Sequence, residues 1–178
     1  GSIGRAVPGV EIKIVDESGR EVSVGEAGEI ITRGPHVMKG YFRKAAATAE
    51  RIRDGWLYTG DVGKREADGY YYHLGRRDDM IITGGLNVYP AEVENLIYTY
   101  PGVQENIVFA IPDSKRGQVL GAAVVARQGS QVSERELLVF LRANLANFKV
   151  PDRIVVRESL PRTSSGKTIR DAETLLGS

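Results

Sequence analysis

The 178-residue sequence contains no cysteine. That absence excludes a disulfide framework, a thiolate zinc or iron–sulfur centre and a cysteine nucleophile. Histidine is scarce as well: His36 and His73 stand far apart and outside any HExxH-like pattern, which argues against a histidine-built metal site. An excess of one charge is also missing, since 24 basic and 23 acidic residues are interspersed along the chain. No polycationic face for nucleic acid or anionic lipid is therefore expected, and the diffuse charge points to a small-molecule partner. No apolar run approaches the ~18 residues of a membrane helix, and no charged-then-apolar leader opens the sequence. The expectation is a soluble, cytoplasmic protein of one large or two small domains, with no membrane span.

What is present is a change of texture part-way along. Up to about residue 77 the chain alternates short β-patterned runs with turn signals. Val10–Val15, Glu29–Thr32, Val62–Arg65 and Tyr70–Leu74 read as strands, the last two joined across Glu66-Ala67-Asp68-Gly69, and Ala45–Arg53 reads as the one helix. This half is predicted to be mostly antiparallel sheet. After it, Pro90 suits a helix start, and Val93, Leu96, Ile97 and Tyr100 form an apolar stripe that Pro101-Gly102 stops. Strands are predicted at Val103–Ile111, Leu120–Arg127 and Ile154–Val156. Ser133 and Glu136 form a capping box for a helix carrying Leu137, Leu138, Leu141 and Leu145, and a short helix ends the chain. The order predicts a compact α+β domain after a boundary near Asp78.

Three stretches carry groups suited to chemistry. Leu160-Pro161-Arg162-Thr163-Ser164-Ser165-Gly166-Lys167 sets one lysine after small hydroxyl residues and a glycine, a mobile loop able to present an ammonium to a cleft. A P-loop reading fails, because proline stands at 161 where its first glycine is needed. Tyr58-Thr59-Gly60-Asp61 reads as a strand end turning on a glycine, with a carboxylate whose two oxygens fit the hydroxyls of a ribose. Gly75-Arg76-Arg77-Asp78 and the nearby Gly84-Gly85 supply a guanidinium fork and backbone that a ligand can approach closely. Taken singly, each also reads as an ordinary solvated turn.

In order, these segments resemble the C-terminal third of the adenylate-forming superfamily of acyl-CoA synthetases, luciferase-like enzymes and peptide-synthetase adenylation domains. The resemblance covers nearly the whole chain: Gly28-Glu29-Ile30 to Gly40-Tyr41, Tyr58-Thr59-Gly60-Asp61, Gly75-Arg76-Arg77-Asp78, Asn87-Val88-Tyr89-Pro90-Ala91-Glu92-Val93-Glu94, and Leu160-Pro161 to Gly166-Lys167. Within that superfamily the chain looks like an AMP-dependent acid–CoA ligase. Ile82 stands where adenylation domains usually carry lysine, and Leu86 where many CoA ligases carry glutamate.

The resemblance implies that residues 1–77 end a large N-terminal AMP-binding domain and that 78–178 form a small mobile C-terminal domain. It implies ATP, Mg2+ and coenzyme A as substrates, with a fatty or aromatic carboxylic acid. Catalytic Lys167 would bridge the acid and the α-phosphate. Asp61 and Arg76 would hold the nucleotide, Asp78 would be the hinge, and Gly84, Gly85 and Lys149, with Arg153 and Arg157, would meet CoA. The family's Ser/Thr/Gly-rich phosphate loop and Thr-Glu motif do not occur in this sequence, so the expectation is a fragment, inactive alone, that needs an N-terminal domain. PxxxxGK at Pro161–Lys167 resembles a site for a lysine acetyltransferase. Two alternatives are an adenylation domain that loads a carrier protein and a non-catalytic domain that keeps the fold.

Overall fold

Alternating side chains make the first half of the chain a set of antiparallel strands, because each strand can then turn one face inward. The computed structural model describes residues 2–177. Its first elements are β1 (Ser2–Gly4), β2 (Glu11–Val15), β3 (Gly28–Arg33), α1 (Ala45–Arg51), β4 (Ile52–Arg53), β5 (Trp56–Arg65) and β6 (Tyr71–Arg76). They form one sheet in the order β1-β6-β5-β3-β2, with β4 beside β5. All its pairings are antiparallel. Ile14, Ile30 and Tyr71 are buried together on its core face.

The expected turn at Tyr58–Asp61 is instead the middle of β5. Ile31 faces Tyr58 while Glu29 faces Val62, so four steps along β5 match two along β3. This bulge absorbs the surplus at Gly60, whose φ of +76° is the left-handed conformation that glycine adopts at little cost. The helix expected over Ala45–Arg53 stops at Arg51, since Asp54 and Gly55 both take positive φ and fold β4 back onto β5 as a tight hairpin.

The remaining elements are β7 (Ile81–Thr83), β8 (Leu86–Val88), α2 (Pro90–Tyr98), β9 (Val103–Asp113), β10 (Gly117–Ala126), α3 (Glu134–Asn144), β11 (Arg153–Arg157) and α4 (Ala172–Leu176). Strand β10 is the axis of this sheet. It pairs antiparallel with β9 along its whole length, parallel with β11 over Gly121–Val125, and with β7 at Gly117.

Both faces of β10 are covered, which explains its nearly continuous apolar run. On one face Leu120, Ala122 and Val124 pack in a core with Val93 and Ile97 of α2 and Leu137 and Leu141 of α3. On the other, Ala123 and Val125 join Ile107, Phe109, Leu160 and Leu175. The fold is α+β, and the chain divides into two compact units, Gly1–Asp78 and Asp79–Ser178.

Candidate functional site

In the first unit, register builds the site. Asp61 of β5 lies directly opposite Arg76 of β6, and Arg76 Nη1 is 3.4 Å from Asp61 Oδ1. His73, three residues before Arg76 on β6 and opposite Gly63 across a register shift, brings Nε2 to 3.9 Å from the same oxygen. Asp61 and Arg76, singled out in separate motifs, are thus neighbours, and His73 is a third member that its isolation in the sequence did not signal.

The bulge that presents Asp61 is fixed from below. Thr59 Oγ1 donates to the Ile30 carbonyl at 2.7 Å and accepts from the Asp61 N–H at 3.0 Å. The buried Gly60 N–H donates to Glu29 Oε1 at 2.9 Å, and Glu29 Oε2 lies 3.3 Å from Arg77 Nη1. Glu29 therefore ties the carboxylate-bearing bulge to the arginine just before Asp78. No local motif advertises this contact, which spans more than thirty residues on one side and nearly fifty on the other. Arg77 itself opens a 3-10 turn, Arg77–Asp79. Beside the bulge lies a polar cleft of about 270 Å³ lined by Asp16, Glu29, Arg51, Arg53, Tyr58 and Arg77. Asp16 is held down to about 2, chiefly by the Ser18 hydroxyl and then by the Arg20 backbone N–H, so it stays ionised.

In the second unit the singled-out residues occupy three separate segments. Gly84 and Gly85 form the two-residue tip of the β7–β8 hairpin, with φ of +57° and +82° and no heavy atom within 4 Å of where a Cβ would stand. Exposed Ile82 and Leu86 flank that tip. Lys149, in a 3-10 turn after α3, donates to both carboxylate oxygens of Glu92 at 2.7 Å. Arg157 donates to the Leu175 carbonyl, capping the end of α4.

Lys167 stands on the turn between β11 and α4. The expected mobile loop is a closed one: the Thr163 N–H donates to the Lys167 carbonyl at 2.8 Å, and Thr163 Oγ1 accepts from the Lys167 N–H at 3.1 Å. The Gly166 N–H donates to the Thr163 carbonyl at 2.9 Å. Of its hydroxyl residues, Thr163 satisfies the backbone of the turn, and Ser165 Oγ lies 2.9 Å from the Thr163 hydroxyl. Lys167 is exposed, and among the described residues its ammonium has no hydrogen-bond or ion-pair partner.

The first unit thus pairs a carboxylate with an arginine, groups that suit a hydroxyl-bearing ligand, and the second carries an exposed lysine on a braced turn, a group that suits an anion. Comparison with known proteins gives the family. The family model described as AMP-binding enzyme matches residues 1–42, and that of the AMP-binding enzyme C-terminal domain matches residues 92–167. The chain belongs to the AMP-binding enzyme family.

Among relatives of these AMP-binding enzymes, a feruloyl-CoA synthase of Amycolatopsis sp is 46% identical over 160 residues, which is 90% of this chain and 33% of that protein. A long-chain-fatty-acid–CoA ligase of Bacillus subtilis (strain 168) is 44% identical over 171 residues, 96% of this chain and 30% of that protein. The crystal structure of ATP-bound MatB from Rhodopseudomonas palustris superposes with a TM-score of 0.87 at 38% identity, covering all of this chain and 37% of that one. The chain thus spans about a third of the length of the AMP-binding enzymes it matches.

Among the described residues no group of three or more His, Cys, Asp or Glu is placed to hold a metal ion. No helix among them is long and apolar enough to cross a membrane.

Proposed function

We propose that this chain supplies the lysine-bearing part of an ATP-dependent acid–thiol ligase that makes an acyl-adenylate and then an acyl-CoA. In the first half-reaction a carboxylate oxygen bonds to the α-phosphorus of ATP, the bond to the β-phosphate oxygen breaks, and pyrophosphate leaves. In the second, a thiolate sulfur bonds to the acyl carbon, and AMP leaves as the carbon–oxygen bond breaks. The single observation that carries this reading is the exposed, unpartnered ammonium of Lys167 on a turn closed by its own hydrogen bonds.

In this reading Lys167 neutralises the carboxylate and α-phosphate as they are pressed together. A preorganised contact of that kind supplies about 3 to 4 kcal/mol of transition-state stabilisation. Asp61 accepts from the ribose hydroxyls, and Arg76, already beside it, faces the same nucleotide. The thiol step has no use for the ammonium, which is the rationale for a hinge at Asp78. The open backbone at Gly84-Gly85 lines the path of the pantetheine arm. Lys149 takes a CoA phosphate only by sharing its ammonium with Glu92. Mg2+ enters as the companion of the ATP phosphates. The acid is fatty or aromatic, as the names of the relatives suggest, and the reaction is placed in the cytoplasm. The exposed turn also suits a lysine acetyltransferase, whose product would remove the charge that the first step needs. Mass spectrometry that finds Lys167 unmodified beside an active cognate acetyltransferase counts against that last point.

The test uses Lys167→Ala in the whole ligase. Acyl-adenylate formation should fall by about 10²- to 10³-fold, with thioester formation from supplied acyl-adenylate unchanged. Equal loss of both half-reactions overturns the assignment. The 178-residue chain alone should show no acid-dependent ATP–pyrophosphate exchange, since its sequence holds no Ser/Thr/Gly-rich phosphate loop; robust exchange refutes that expectation.

A further inference from the structure

The turn bearing Lys167 is pinned on both flanks by arginines that reach into other elements. On the near side Arg162 Nη2 donates to Glu105 Oε2 of β9 at 2.5 Å, while its Nη1 donates to the Gly166 carbonyl at 3.2 Å. Three residues beyond Lys167, Arg170 makes a denser set of contacts. Its Nη1 donates to Glu94 Oε1 of α2 at 2.5 Å and to the Val108 carbonyl of β9 at 2.6 Å, and its Nη2 lies 3.4 Å from Glu94 Oε2. Its Nε is 3.8 Å from Asp79 Oδ2, on the first residue of the second unit.

The two arginines are not equivalent. The Arg162–Glu105 pair is roughly half exposed on both sides, the setting in which an ion pair contributes little. Glu94 is only 18% exposed, and its Oε1 also accepts from the Val108 N–H at 2.8 Å. Arg170, Glu94 and both backbone polar groups of Val108 therefore form one connected network. Such forked, charge-assisted bonds fix direction as well as distance, which a lysine at 170 would not reproduce. The Ile169 N–H, between the network and the turn, donates to the Pro161 carbonyl at 2.9 Å and carries the constraint across the turn's base.

We propose that Arg170, held by Glu94 and the Val108 carbonyl, is a positioning residue that sets where the Lys167 ammonium points. This rests on the ligase reading above for its consequence in catalysis, but the ordering of the turn does not depend on it. A reactive group displaced by about 1 Å loses on the order of 100-fold in rate, so replacement of Arg170 should act mainly on the step that uses Lys167.

Two measurements test this. On the 178-residue chain, 15N relaxation should give backbone order parameters near ~0.85 for the amides of residues 163–168, falling below ~0.6 in Arg170→Gln. Unchanged order parameters in that variant overturn the proposal whatever the chain's activity. In the whole ligase, Arg170→Gln should lower the rate of acyl-adenylate formation about 100-fold, with an unchanged KM for ATP and unchanged thioester formation from supplied acyl-adenylate. A merely structural role would depress both half-reactions together, and that result overturns the proposal. Lys167→Ala measured alongside separates the two readings. If it spares adenylation, the ligase reading fails; if it abolishes adenylation and Arg170→Gln does not impair it, the positioning reading fails. Should Arg170→Gln not fold, Glu94→Gln keeps an amide in the same place and should show the same split and the same loss of order, and the absence of either overturns the proposal.

Discussion

Replacing Glu29 with alanine probes the bulge that presents Asp61. The change removes the acceptor of the buried Gly60 N–H and the partner of Arg77. A hydrogen bond to a charged group that leaves a buried donor unmatched is worth about 1.5–3 kcal/mol. Arg77 is 56% exposed, so its ion pair adds less than about 1 kcal/mol. The expected loss is about 2 kcal/mol. Trp56 is the sole tryptophan and opens β5, with Arg33 over its ring at 4.6 Å, so its fluorescence reports the unit that holds Glu29. With a urea slope of ~2 kcal/mol/M, the Trp56 unfolding midpoint should fall by about 1 M in Glu29→Ala. Glu29→Gln keeps an oxygen for Gly60 and gives up only the charge, so its midpoint should move by less than about half as much. Equal shifts in the two variants would refute the reasoning, because they would show that charge, and not the bond to the bulge, is what matters.

Gly121→Ala should destabilise the second unit by about 1–3 kcal/mol, read by far-UV circular dichroism in denaturant, because its Cβ would meet Phe109 Cε2 and Cζ at 2.6 Å within a full core. A change below about 0.5 kcal/mol would mean that Phe109 can step aside. For Asp16, a folded-state value of about 2 against an ordinary 3.8 means that the ionised form favours the fold above pH 3.8 and that this contribution fades as pH falls towards 2. Asp16→Asn should flatten the acid limb of stability in that window, and an unaltered limb would refute the assignment.

Elements set by short-range pattern were legible in the sequence. The hairpin across Glu66–Gly69 closes with the Glu66 N–H on the Tyr70 carbonyl, and Pro90 opens α2. Ser133 caps α3 by accepting from the Glu136 N–H. What escaped depends on partners distant along the chain. A glycine inside a strand reads locally as a turn, so β5 seemed half its length until its bulge against β3 was visible. The short β1, β4 and β8 have too few residues for any period to emerge. At the candidate site, residue types were readable but their bracing was not: Glu29, Glu94 and Glu105 lie tens of residues from Gly60, Arg170 and Arg162, whom they hold.

The second face of the β10 sheet is roofed by Leu160 and Leu175, which bracket the lysine turn. The tail that offers the amine is also the shingle that keeps Phe109, Ala123 and Val125 dry. Cutting the polypeptide before Pro161 would strip greasy surface bare while deleting the cation, so shortened versions would clump for reasons unrelated to chemistry. Point substitutions within that tail, such as Lys167→Ala, remove the cation and leave the roof in place.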